Sequence, residues 1–129
     1  MNLPVNLPVN QFAPQERRAV ARKPLRRPIT LTLDNGTTLP GQTIDLSPGG
    51  LRMSVDRSIT APQDCTFELT IMLEGKPSAL SGPGRILSCV CTGMTGFSLG
   101  IQFLKLDEAG KALVARVING TLQARLPDY

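Results

Sequence analysis

The spacing of hydrophobic and polar positions changes twice along this chain. From Pro28 it has period two. In ITLTL, Ile29, Leu31 and Leu33 share one face while Thr30 and Thr32 take the other, the pattern of a strand with one buried side. Asn35-Gly36 follows. Both residues tolerate positive φ, which predicts a two-residue type I′ hairpin with a returning strand from about Thr37 to Asp45. GLRMSVD alternates again, with Leu51, Met53 and Val55 on one side. CTFELTIML places Phe67, Leu69, Ile71 and Leu73 inward and Glu68 and Thr70 outward. Glu74-Gly75 is a turn signal, and Gly82-Pro83-Gly84 suggests a bulge, a corner or an interrupted strand. GFSLGIQF alternates Phe97, Leu99, Ile101 and Phe103.

After that the period becomes helical. Asp107 can cap a helix over 107–122 whose apolar positions are Leu106, Leu113, Val114, Val117, Ile118 and Leu122. Gly110 and Gly120 weaken it by ~1 kcal/mol each relative to Ala, so it has to dock on the sheet. These elements predict a mainly β fold: a small six-stranded antiparallel barrel over 28–104, closed so that no edge is left open, with a C-terminal α-helix. A simple β-sandwich is the alternative. The first 14 residues, MNLPVNLPVNQFAP, repeat NLPV and hold three prolines. They forbid regular helix and offer little to bury, which suits a flexible leader, a linker from an upstream domain or a cloning remnant. Residues 125–129 read as a tail.

Composition narrows the chemistry. The 129 residues fit one domain. With one Tyr, four Phe and no Trp, the core has to come from Leu, Ile and Val. The net charge is +4, yet six of the fourteen basic residues lie between positions 17 and 27: Arg17, Arg18, Arg22, Lys23, Arg26 and Arg27. Such a local cluster favours a compact anion over a long polyanion, whose binding face would spread Lys and Arg broadly. There is no His, which removes the usual general base and the commonest metal ligand. The three cysteines, Cys65, Cys89 and Cys91, are read as buried thiols. Cys89 and Cys91 share a strand face, expected inside. No apolar run nears the ~20 residues of a membrane span and no signal peptide is visible, so a cytoplasmic location is expected.

Two motifs carry the chemistry. In RRAVAR, residues 17–22, the guanidinium forks can grip phosphate oxygens or the O6/N7 edge of guanine, and can stack on purine faces. The bland reading is a solvated basic linker. In DLSPGG, residues 45–50, Asp45 and Ser47 project to one side of an extended chain. Pro48-Gly49-Gly50 then turns the chain back, and Gly50 would allow a ligand close approach. Asp45 can accept from the N1–H and N2–H₂ edge of guanine, and Ser47 can donate to phosphate. The bland reading is an Asx- or Ser-type turn between strands.

Taken together, the motifs resemble the PilZ domain family, bacterial receptors for the second messenger cyclic di-GMP. That family's pattern is RRxxxR in a flexible N-terminal segment, followed by [D/N]xSxxG after the first hairpin. Residues 17–22 and 45–50 match every defined position, and the closing strand and terminal helix also fit. The resemblance covers about residues 15–122, within a domain set at 15–124. It implies that Arg18 and Arg22 clamp the guanine edges and phosphates of the ligand, that Asp45 reads a guanine, and that Ser47, Gly49 and Gly50 complete the cradle. Arg17 at its position implies two intercalated ligand molecules. The basic segment 15–27 would be mobile in the free protein and fold over the barrel on binding.

Other readings compete. A degenerate PilZ-like adaptor would bind a protein instead. A small barrel for RNA or DNA would show exposed aromatics for base stacking, but the Phe residues mostly fall in core phase. An enzyme is not expected, because no nucleophile elbow, P-loop or useful carboxylate pair is present. Beyond the ligand, the partner would be a protein effector or a fused upstream domain. The stretch from Glu16 to Leu51 looks somewhat like the domain tethered to the cellulose synthase catalytic subunit.

Overall fold

The computed structural model describes residues 22–94 and 96–125, with helix side chains followed to position 120. Arg17, Arg18, the 1–14 leader and the last four residues lie outside the described residues. Among the described residues, seven strands and one helix follow in order: β1 (Lys23–Pro24), β2 (Pro28–Leu33), β3 (Thr38–Ser47), β4 (Gly50–Val55), β5 (Gln63–Leu73), β6 (Lys76–Cys91), β7 (Phe97–Phe103) and α1 (Glu108–Arg125). Every pairing is antiparallel. The order β3-β2-β5-β6-β7-β4 closes on itself through β3–β4, giving a six-stranded barrel, while the two-residue β1 lies beside the far end of β3. The sandwich alternative is thereby excluded.

Period-two alternation builds the core. Ile29, Leu31, Leu39, Leu51, Met53, Phe67, Leu69, Ile71, Leu80, Ile86, Leu99 and Ile101 point into one buried cluster. Complete burial of each such side chain is worth roughly 1.5–3 kcal/mol. Helix α1 contacts both β3 and β6. Those strands are not neighbours, so the helix lies across an end of the barrel, where Val114, Val117 and Ile118 are buried. Asp107 caps it, its Oδ1 accepting from the Gly110 N–H at 2.7 Å.

Three local expectations are corrected. The turn joining β2 to β3 has three residues, 34–36, between the hydrogen-bonded Leu33 and Thr37, not two. Leu33 carbonyl accepts from Gly36 N–H, Leu33 N–H donates to Thr37, and only Gly36 has positive φ, at 90°, so Asn35 is spared that conformation. The turn with two positive φ values is Glu74-Gly75, at 55° and 79°. Next, β6 runs unbroken through Gly82-Pro83-Gly84, and its irregularity lies between Ile86 and Ser88. Finally, Cys65 is buried but Cys89 is only half-buried and Cys91 is exposed, because β6 runs past the barrel's packed interior before it ends.

Candidate anion site on the barrel wall

Strand β3 determines the site through an irregularity. Up to Thr43 its alternate residues face the core. The register with β4 then shifts between Thr43 and Asp45, leaving Ile44 as the extra residue, 39% exposed. Such a bulge swaps the faces of everything after it. Leu46 therefore enters the core, and Asp45 and Ser47 move to the outer wall.

Asp45 is not open to solvent there, because cations cover it. Arg22 Nη1 donates to its Oδ1 at 2.8 Å. Arg52 donates to Oδ2 through Nε at 3.1 Å and Nη2 at 2.7 Å. The carboxylate side chain retains 10% exposure, against 53% for Arg22 and 48% for Arg52. The hydrogen bonds and charge of Asp45 raise the Arg52 pKa above its ordinary value. A single contact from a half-exposed arginine is worth about 0–1 kcal/mol, so a competing ion can displace Arg22.

The chain reaches Asp45 through a pinned root. Leu25 N–H donates to Ile44 carbonyl at 3.1 Å and Thr43 N–H to Arg27 carbonyl at 2.9 Å. The buried Thr43 hydroxyl accepts from Arg27 N–H at 2.8 Å and donates to Leu25 carbonyl. Arg26 and Arg27 are engaged structurally: Arg26 donates to Gln42 and Arg27 to the Thr70 carbonyl. The part of the basic segment from Arg22 to Arg27 is thus fastened to β3. Of the segment 15–27 expected to be mobile, residues 24–27 are held in this way, and the part before Arg22 lies outside the described residues.

Pro48 and Gly49 form the two central residues of the turn between the paired Ser47 and Gly50. Ser47 Oγ donates to Gly50 carbonyl at 3.2 Å. A Cβ on Gly50 would lie 2.1 Å from the Ile101 carbonyl oxygen, whereas one on Gly49 would meet nothing within 4 Å. The absent side chain at Gly50 therefore admits strand β7. Gly49 carbonyl accepts from Phe103 N–H at 2.9 Å. Beside this turn lies a groove of about 730 Å³, lined by Pro48, Gly49, Phe103, Lys105, Leu106 and Lys111 among others.

The structure thus brings Arg22, Asp45, Ser47, Gly49 and Gly50 into one neighbourhood. Sequence reasoning missed Arg52. The signal was available, since a two-residue turn between Ser47 and Gly50 makes 45 and 52 cross-strand partners. Among the described residues no aromatic side chain is exposed, and no group of His, Cys, Asp or Glu could hold a metal ion. No described helix is long and apolar enough to cross a membrane.

A closed antiparallel barrel with a helix over one end and a cationic strap on its wall defines the architectural class. Within that class, the sequence model of the PilZ domain matches residues 16–120, and the chain belongs to the PilZ domain family. A search of the curated proteins matched none. Among solved structures, the chain is similar to the PilZ domain with c-di-GMP of YcgR from Escherichia coli, with 20% identity, TM-score 0.65, and coverage of 84% of this chain and 95% of that one. It is similar also to the Bacillus subtilis inhibitor of motility MotI/DgrA, with 8% identity, TM-score 0.70, and coverage of 86% and 52%. The PilZ domain of CeSA from a cellulose-synthesizing bacterium matches at 23% identity and TM-score 0.50, covering 78% and 96%. The chain spans about half of the MotI/DgrA chain, and all three likenesses concern the fold.

Proposed function

We propose that this chain is a non-catalytic cytoplasmic receptor domain for cyclic di-GMP that passes the binding event to a protein effector. One observation carries the reading: Arg22, the last residue of RRAVAR, lies 2.8 Å from Asp45, the first of DLSPGG, across 23 positions of sequence. Two motifs that mean little alone are joined at one charged contact. The ligand supplies what this site can exchange for that contact. Its guanine edge offers N–H donors to Asp45, and its phosphates offer oxygens to the arginines. Arg18 and Arg22 then close over the nucleotide, and Ser47, Gly49 and Gly50 form the floor. Arg17 favours a stacked pair of ligands. Control of exopolysaccharide synthesis or of motility fits this reading as an output, and the cellulose synthase likeness belongs with it.

Calorimetric titration of the full chain with cyclic di-GMP tests it. Saturable binding is expected, with close to two ligands per chain. Arg18→Ala, Arg22→Ala and Asp45→Ala should each weaken it about 100-fold or more, since hydrogen bonds to charged groups are lost, while melting temperatures stay near wild type. Normal binding by Arg22→Ala or Asp45→Ala would refute the assignment. Uptake of polynucleotides with a steep salt dependence, and no response to the cyclic dinucleotide, would favour the nucleic-acid reading instead.

A further inference from the structure

Asp45 is shared unequally. Arg52 grips Oδ2 with two N–H groups, from a strand hydrogen-bonded on both sides, to β3 and to β7. Its partner across β7 is Gly100, beside which the Ser88 hydroxyl fills the place a side chain would take. Arg22 reaches Oδ1 with one N–H and sits just ahead of the two-residue β1. The two cations therefore differ in number of bonds and in the rigidity of what carries them.

A burial argument decides which of them can leave. The Asp45 side chain is 10% exposed. If both arginines left, a nearly buried carboxylate would be stranded without a counter-charge, which is costly. If Arg22 alone leaves, both acceptor sites of Oδ1 open while Oδ2 stays neutralised and fixed in direction.

We propose that Arg52, a residue outside both motifs, is the positioning residue of the site: it holds Asp45 by Oδ2 so that Oδ1 is presented to the guanine edge, while Arg22 is the exchangeable counter-ion. This rests on the cyclic di-GMP reading above. Arg52 does not touch the ligand. It acts through the carboxylate, keeping it aimed and charge-compensated while Arg22 swings onto the nucleotide.

The test titrates wild type, Arg52→Gln and Arg52→Lys with cyclic di-GMP and with its inosine analogue, which lacks the guanine N2 amine. A melting scan checks that each variant folds. Arg52→Gln should weaken cyclic di-GMP by about tenfold or more, and Arg52→Lys should recover part of the loss. The loss should be smaller for the analogue, because Arg52 acts through the group that reads the amine. In spectra of ¹⁵N-arginine-labelled protein, the Arg52 Nε–H signal should persist through saturation while that of Arg22 shifts. Equal binding by wild type and Arg52→Gln would overturn the positioning role alone. An equal loss for both ligands would mean that Arg52 contacts phosphate directly, and would overturn it as well. A wild-type chain that takes up neither ligand would remove the function reading itself.

Discussion

Gly50 and Gly49 are adjacent, yet physics treats them oppositely. A methyl group at Gly50 would collide with the Ile101 backbone, which cannot step aside as a flexible side chain would. Gly50→Ala is expected to cost about 1–3 kcal/mol or more in urea unfolding, and Gly49→Ala close to nothing. Loss of ligand binding in Gly50→Ala would therefore reflect displaced strands as much as a crowded ligand. Cys65 gives a second residue-scale prediction. Burial, helped by Asp64 and Asp34, pushes its thiol up to about 11 from 9.0. Below pH 9 both folded and unfolded chains keep the proton, so the contribution is complete. Between about 9 and 11 only the unfolded chain releases it, and stability falls as pH rises. The loss attributable to this thiol is about 2–3 kcal/mol. Comparing urea midpoints of wild type and Cys65→Ala at pH 8 and pH 11 isolates it. A wild-type advantage that does not shrink with pH would contradict the assignment.

At the scale of elements, β3 does most of the organising. It closes the barrel, carries the bulge that turns Asp45 outward, and anchors the strap through Thr43. Thr43→Val keeps the shape of the buried side chain but strands the Arg27 N–H and the Leu25 carbonyl. A cost of about 1–3 kcal/mol is expected, with faster hydrogen exchange at Leu25 and Arg27 than in the barrel strands; unchanged exchange at those two amides would show that the hydroxyl anchors nothing. In α1, Asp107→Ala removes the bond to the Gly110 N–H and should lower stability by about 1 kcal/mol, read from the melting curve. The strands were legible because a barrel wall buries one face, and that leaves period two in Ile29–Leu33, Leu51–Val55 and Phe67–Leu73. Turn geometry was less legible. Asn35-Gly36 and Glu74-Gly75 both permit positive φ, and strand register rather than dipeptide identity selects which turn uses two such residues. The bulge at Ile44 has no mark in the alternation of TIDL, so the common side of Asp45 and Ser47 was legible but its placement on the outer wall was not.

For the whole molecule, the site is a meeting of two parts with different stiffness. The turn from Ser47 to Gly50 is tied to β7 by the Gly49 carbonyl and cannot move far. Among the described residues, the strap is fastened from Arg22 to Arg27 through β1, Thr43 and the Arg22–Asp45 contact. A ligand binding between them has to exchange one weak ion pair and leave the barrel intact. Arg52, the residue that makes this exchange tolerable, was the one the motifs did not contain. Its role follows from topology: pairing across β3 and β4 places it opposite Asp45. On the proposed function, the cyclic dinucleotide enters at this junction and nowhere else. Amide chemical-shift mapping of the full chain during titration with cyclic di-GMP tests it most directly. Large shifts are expected at Arg22, Lys23 and the amides from Asp45 to Leu51, with Thr30, Thr66, Glu68 and Ser81 on the opposite outer wall unmoved. Shifts gathered on that threonine-rich wall, or absent from the Asp45–Gly50 turn, would contradict it.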